Sequence, residues 1–435
     1  MVEKNTLKEI LAEPETAEEL EIPQSILIDI ILRCLYNEGN VAFRRLAQVI
    51  RVPAALPKQL DWLRQEHLVE VSQSGTYGHL NYVYKLTGAG EDRARESMER
   101  SQYVGPAPVP VHRYNKAIEL QTSGPRSIAV EKVQEALSDM ILPDDFHRRI
   151  GPAVSSGASL FLYGPSGNGK TTIAQRMSKL IAGTDPIWLP YALTAGGQII
   201  QIHDRLFHNA AEVEKETSGI DGRWSLFQRP SVVVGGELKM ESLDLRFDSV
   251  AKIYEAPLQL KANGGMFLID DFGRQQVSPV DLLNRWIVPL ENAVDFLRLR
   301  TGQTIVVPFR TLIVFSTNLD PYKLADDAFY RRIQMKVGVF SPNDERYRTI
   351  FLKVCEQFNI PFDEMSFNHL LEKWYRQTGR ALQSVHPRDI LKIVQALCYY
   401  DGSQARMTPE LIDEACYSYF VEQLLNYVLF TPIHL

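Results

Sequence analysis

The stretch Gly164-Pro165-Ser166-Gly167-Asn168-Gly169-Lys170-Thr171-Thr172 satisfies the spacing G-x-x-x-x-G-K-[ST] at every fixed position. Its glycines let successive backbone N–H groups turn toward one point, an anion nest at the positive end of the helix that follows. Lys170 is placed to reach the β- and γ-phosphates of a nucleotide such as ATP, and the Thr171 hydroxyl to join the shell of Mg²⁺, a hard ion that takes few protein ligands. The motif needs a strand before it and a helix after it. Ala158 to Tyr163 reads as a buried strand, and Thr172 to Ile181 as a helix with Ile173, Ala174, Met177, Leu180 and Ile181 on one side.

Working outward, Met266-Phe267-Leu268-Ile269-Asp270-Asp271 is an apolar strand ending in two carboxylates. A strand apolar on both faces belongs inside a parallel sheet, with its C-terminal end at the ligand crevice. Asp270 then serves the Mg²⁺ shell through water, and Asp271 orients or deprotonates an attacking water. Thr311 to Asn318 is a second buried strand, and Asn318 at its polar end is placed to position that water or touch the γ-phosphate. Ile150 and Gly151 are candidates for the adenine side.

The order of these parts resembles the AAA+ ATPases: phosphate loop, acidic strand end, Asn-ended strand, paired arginines in Asp327-Ala328-Phe329-Tyr330-Arg331-Arg332-Ile333, then a helical lid. The resemblance covers about Val130 to Leu435. It implies that Asn318 is sensor 1, that Arg332, with Arg331 beside it, is the arginine finger, and that Arg388 in His386-Pro387-Arg388-Asp389 is sensor 2. A finger acting on a neighbour's nucleotide implies a homo-oligomeric ring, commonly a hexamer. A hairpin over Phe296 to Arg310, an insertion before the acidic strand, Asp271-Phe272-Gly273-Arg274 and Leu282-Leu283…Leu290-Glu291 are similar to MoxR-like members. Most of the family has Glu where this chain has Asp271, one methylene shorter, which bears on turnover rather than on binding.

These readings divide the chain into an acidic lead over 1–22, a winged-helix-like α+β domain over 23–100, a Pro-rich linker over 101–129, an α/β P-loop core over 130–340, and a helical lid over 341–435. Within the core, a second strand fits Pro186 to Tyr191, a helix fits Gly197 to Ala211, and residues 212–263 read as a β-rich insertion facing a partner or substrate. Helices over Ser25 to Tyr36, about Val41 to Ile50 and Leu56 to His67, strands at Leu68 to Val71 and Asn81 to Leu86, and a further helix to about Arg100 resemble a winged helix, a fold that often reads DNA with its third helix. Its third helix sets Lys58 and Arg64 against Asp61 and Glu66, however, and a phosphate reader needs several uncompensated cations, so a protein-docking or autoinhibitory role is favoured over nucleic acid. The apolar tail Tyr427 to Ile433 reads as a docking segment.

Composition agrees with a globular protein: 435 residues, 45% hydrophobic and 23% charged. The formal charge of −6 gives no ground for wholesale binding to nucleic acid or anionic membrane. Cys34, Cys355, Cys398 and Cys416 are far apart and show no metal-ligand spacing, as thiols of a reducing compartment do. The N-terminal residues lack a signal-peptide pattern and no apolar run reaches the ~20 residues of a membrane helix, so the expectation is a cytoplasmic protein without membrane insertion. The sequence thus points to an ATP- and Mg²⁺-dependent ring ATPase that remodels a protein client. The alternatives are a nucleotide-gated DNA-binding regulator and an ATP-binding scaffold with negligible turnover.

Overall fold

The structure, a computed structural model, describes residues 2–74, 78–126, 128–212, 219–320 and 327–420. Its centre is a five-stranded sheet, all parallel, in the spatial order Ser231–Val234, Met266–Ile269, Leu312–Thr317, Leu160–Tyr163, Met335–Gly338. Side-chain alternation sorts the core into two faces. Leu160, Leu162, Met266, Leu268, Leu312 and Val314 pack with the helices Val130–Leu137, Phe146–Ser156 and Lys170–Ala182. Phe161, Phe267, Ile269, Ile313 and Phe315 pack on the other side against Phe272 and Trp286. Both faces are covered, so the inner strands are apolar throughout. Register aligns Ile269 with Phe315, and Thr317 with Tyr163, so Asp270, Asn318 and Gly164 follow along one edge.

Two expectations within this domain are corrected. Ser231–Val234, read as part of an insertion over 212–263, is a strand of the central sheet, while the strand expected over Pro186 to Tyr191 forms as Ile187–Pro190 but pairs antiparallel with Trp224–Phe227 outside that sheet. The expected helix over 197–211 is absent. Ala192–Ala195 and Gln198–Gln201 form a hairpin closed by Gly196 and Gly197, at φ +56° and +72°. Two central residues at positive φ make the turn that suits strand twist, and the β-branched run Ile199-Ile200 favours strand once that turn forms.

The hairpin belongs to a second five-stranded sheet, in the order Arg246–Asp248, Ile253–Glu255, Gln198–Gln201, Ala192–Ala195, Val109–Pro110. Its last strand comes from the stretch 101–129, a Pro-rich linker whose sequence leaves open whether it is a mere spacer or threads along the next domain. That stretch is built in: Gln102 N–H donates to Ala251 O at 2.8 Å, Ala107 N–H to Ile50 O at 2.8 Å, and Val111–Gln121 is a helix burying Tyr114, Ala117 and Ile118. The prolines stiffen its path while Tyr103, Ala107 and Val109 reach the core between them. The acidic lead is also anchored. Ile10, Leu11 and Leu20 are buried, and the fully buried Arg223 donates from Nε to Asp221 at 2.9 Å and from Nη1 to Leu20 O and Pro108 O at 3.2 Å.

Ahead of this sheet, the helices Gln24–Glu38, Phe43–Ile50 and Leu56–Gln65 carry a three-stranded antiparallel sheet, with Val83–Leu86 between Val41–Ala42 and Val69–Gln73. The helix Gly88–Arg100 follows, capped by Thr87, whose hydroxyl accepts from Gly90 N–H at 3.0 Å. Beyond the central sheet, Asp344–Phe358, Glu364–Leu370, the π-helical Leu371–Arg376, His386–Tyr400 and Pro409–Tyr419 enclose a separate apolar core. The apolar tail 427–433 lies outside the described residues. No helix among the described residues is long and apolar enough to cross a membrane.

Candidate active site

The phosphate loop links the strand Leu160–Tyr163 to the helix Lys170–Ala182. Its conformation requires glycine at two tight positions. Gly164 stands at φ +133°, where a Cβ would meet Val339 O at 2.3 Å; Gly167 stands at φ +74°, where a Cβ would meet Gln383 Oε1 at 2.6 Å. The Lys170 ammonium folds over the loop and donates to Gly164 O and Pro165 O, both at 2.8 Å. Burial holds that ammonium below its usual range, and the charges of Asp271 and Asp270 oppose the shift.

The loop also touches the lid directly. Val385 N–H donates to Gly167 O at 2.9 Å, and Ser384 N–H to the Asn168 side-chain oxygen at 3.1 Å. Loop and lid thus share one wall of a cleft of about 570 Å³, lined by Ser166 to Thr172, Asp271, Asn318 and Arg388. This size suits a small molecule. Arg388 is exposed, lines the cleft, and donates to Asp389 at 2.9 Å, so the ion pair and the cleft-facing position coexist.

Asp270 and Asp271 occupy a braced turn. Phe272 N–H donates to Ser316 O at 2.7 Å and the Thr317 hydroxyl to Phe272 O at 2.7 Å, tying the acidic strand end to its neighbour. The Gln275 amide donates to Asp270 O at 2.9 Å. Asp271 sits at φ +49°, a left-handed conformation uncommon for residues other than glycine. In the lining of the same cleft, the Asn318 side-chain oxygen is buried without a hydrogen-bond partner among the described residues. An unpartnered buried acceptor costs about 1–3 kcal/mol, and strain gathered with it at one cleft is the pattern of a functional site.

Several expected residues lie elsewhere. Ile150 is buried in the core beneath the helices, and Gly151 faces Val133; neither lines the cleft. The apolar wall comes instead from Met140, Ile141 and Leu142, with Ile350 and Val354 of the lid. The run Met140-Ile141-Leu142-Pro143, apolar yet closing a helix, is the signal that would have found it. Arg331 is exposed, and the Arg332 Nε donates to Glu291 at 2.6 Å; neither lines the cleft of its own subunit. Gln275 and Lys353 were missed: the first acts through backbone carbonyls, and the second is a lid residue brought to the cleft by folding, its ammonium donating to Asp139 O at 2.9 Å.

Comparison with known proteins gives three results. A family model described as a domain of unknown function (DUF8689) matches residues 343–418, within the lid. No curated protein matches the chain. Among solved structures, NtrX from Brucella abortus in complex with ATP is 13% identical with a TM-score of 0.39, over 68% of this chain and 66% of that one. NtrX in complex with ADP is 13% identical with a TM-score of 0.40, over 68% and 64%. Both matches take in less than two thirds of the NtrX chain. The RuvB Holliday junction branch migration motor of Thermotoga maritima is 14% identical with a TM-score of 0.36, over 66% of this chain and 68% of that one.

Proposed function

We propose that this chain is an ATPase of the AAA+ type, MoxR-like in its inserted strands and hairpin, that binds ATP with Mg²⁺ and works as a ring, commonly a hexamer, to remodel a protein partner. The observation that carries this reading is the single cleft in which a strained glycine loop, Lys170, a carboxylate at φ +49°, an unpartnered Asn318 and a lid arginine converge. Thr171 and Asp270 would hold Mg²⁺. They fit an ion that keeps most of its waters and takes its remaining ligands from phosphate, and among the described residues no group of three His, Cys, Asp or Glu could hold a metal alone. The ion would supply charge neutralisation at the phosphates.

In this reading Lys170 exchanges its two loop carbonyls for phosphate oxygens when the nucleotide arrives. Asp271 orients or deprotonates the water, Asn318 holds it in line, and Arg388 closes from the lid. Arg332, with Arg331, serves the neighbouring subunit's nucleotide, consistent with its place outside its own cleft. The N-terminal module is read as a winged helix that docks protein. Lys58 pairs with Glu18 at 2.6 Å and Arg64 with Asp61 at 3.4 Å, which leaves its third helix little free charge for DNA.

Phosphate release by the wild type, and its loss together with ATP binding in Lys170→Ala, tests the chemistry. Light scattering with and without ATP tests the ring. An active enzyme that stays monomeric at every nucleotide concentration would remove the ring and the role of Arg332.

A further inference from the structure

The parallel strands have a second edge. Opposite the phosphate loop, at their N-terminal ends, lies another cavity of about 580 Å³. Among the residues lining it are three arginines, Arg126, Arg229 and Arg310, and a single carboxylate, Asp185. Like charges gathered in a partly desolvated space repel, so this excess of cations carries an electrostatic cost that an anion would relieve.

Two of the guanidiniums converge on one carbonyl. Arg229 Nη1 donates to Gly264 O at 2.6 Å, and Arg126 Nη2 donates to the same oxygen at 3.4 Å and to Gly265 O at 3.1 Å. Arg229 is only 8% exposed, and its Nε donates to Asp185 O, a backbone oxygen, at 2.9 Å. No ion pair is formed by Arg126, Arg229 or Arg310 among the described residues. Burial and the charge of Arg229 push the Arg126 guanidinium down to about 10, and burial lowers Arg229, against the opposing charge of Asp185. Thr311, from the same lining, is 7% exposed and its hydroxyl has no hydrogen-bond partner among the described residues.

We propose that this cavity is a second ligand site, for a small molecule carrying a doubly charged oxyanion such as a phosphate group, held by Arg126, Arg229 and Arg310 at the edge of the sheet remote from the phosphate loop. Guanidinium forks match phosphate oxygens bidentately, and three cations set against one carboxylate balance a dianion better than a monocarboxylate. The cavity volume is that of a small-molecule site. Its walls come from the segment 121–126, the helix end at 155–157, the turn at 184–185 and the base of the hairpin at 289–293 and 309–311. A bound anion would therefore bridge segments that the same arginines already join through backbone carbonyls, Arg126 Nη1 donating to Val154 O at 3.4 Å and Arg229 Nη2 to Gln121 O at 3.5 Å. The site is independent of nucleotide at the phosphate loop.

The test is calorimetric titration of inorganic pyrophosphate into full-length Lys170→Ala protein at low salt, which weakens the phosphate loop as a competing site. Arg310→Ala is the deciding variant, because its exposed side chain makes no hydrogen bond or ion pair among the described residues and its removal spares the fold; a thermal melt checks this. The expected result is saturable binding that Arg310→Ala weakens about tenfold, the loss of one charge-assisted partner. Acetate at equal ionic strength is expected not to compete. Binding unchanged by Arg310→Ala, displacement of pyrophosphate by acetate at equal ionic strength, or no binding at all would each overturn the proposal.

Discussion

Arg223 and Asp221 are each 0% exposed and are closed off by their own ion pair and by the carbonyls of Leu20 and Pro108. Around the phosphate loop, by contrast, Asn318 keeps a buried acceptor without a partner, Asp271 holds a left-handed backbone, and Lys170 rests on carbonyls it can release. The first cluster closes its polar groups, save that Arg223 Nη2 meets Asp221 at 2.8 Å as an ion pair without a hydrogen bond, and so joins three distant segments. The second leaves them open at a cost in stability, which is expected where a ligand completes the arrangement. The two therefore break differently: damage to the first should lower stability, and damage to the second should lower turnover while the fold survives.

The largest effect falls on turnover at the open cluster, and in the proposed ring it comes from a residue of the neighbouring subunit. Arg332→Ala is expected to lower turnover by roughly 10³- to 10⁵-fold, as loss of an arginine delivered to a transferring phosphoryl group does, with ATP affinity nearly intact. Mixing it with Lys170→Ala subunits should restore part of the activity, because each lacks what the other supplies. Absence of rescue in a steady-state assay would count against action across subunits. Next comes the closed cluster. Arg223→Ala leaves Asp221 charged and buried, a change that costs about 3–5 kcal/mol. Urea denaturation should show the loss, while the fraction still folded binds ATP as before.

The contrast also explains what could be read in advance. The central sheet announces itself because its strands are short apolar runs ending in glycine, aspartate or asparagine, so Gly164, Asp270 and Asn318 fall on one edge once the strands are parallel. The second sheet has no such signature. Val109–Pro110 is two residues long and hides in a proline-rich stretch, Ile199-Ile200 suits helix or strand until Gly196-Gly197 fixes the turn, and the partners lie far apart in the chain. The same reason misplaced Ser231–Val234, an edge strand whose Val233 is 48% exposed and whose alternation imitates a surface hairpin. Ile150 lies away from the cleft because its helical spacing points it at the sheet. Only packing shows that Met140 to Leu142 turn toward the cleft.

A smaller effect should appear in the pH dependence of stability, again on the closed side. His208 Nε2 lies 3.0 Å from Lys261 O and its Nδ1 accepts from Asp204 N–H at 2.9 Å, a pairing that suits the neutral ring with its proton on Nε2. Burial holds it down at about 4, against an ordinary value of 6.5. The unfolded chain therefore binds the proton first. The stability contributed by neutral His208 is fully present above about pH 6.5 and is lost as pH falls toward 4, with a slope of up to about 1.4 kcal/mol per pH unit. Denaturation midpoints measured at pH 7 and pH 5 should show the fall, and His208→Gln should flatten it. An unchanged slope in that variant would assign the acid sensitivity to other groups.

The smallest expected change sits at Asp271, where the two rules meet in one residue. In the proposed mechanism a glutamate there would reach one methylene further toward the attacking water, which favours Asp271→Glu. The backbone opposes it: at φ +49° aspartate is better tolerated than longer side chains, because its short polar group can satisfy local backbone. The braced turn, with Gln275 on the Asp270 carbonyl and Phe272 tied to Ser316, fixes that conformation independently of the side chain. On that proposal aspartate is a compromise between reach and strain. Asp271→Glu should hold or raise turnover, within about tenfold, while costing about 0.5–1 kcal/mol of stability. Parallel phosphate-release and urea measurements separate the two terms. A sharp fall in turnover would show that Asp271 is not the carboxylate that handles the water.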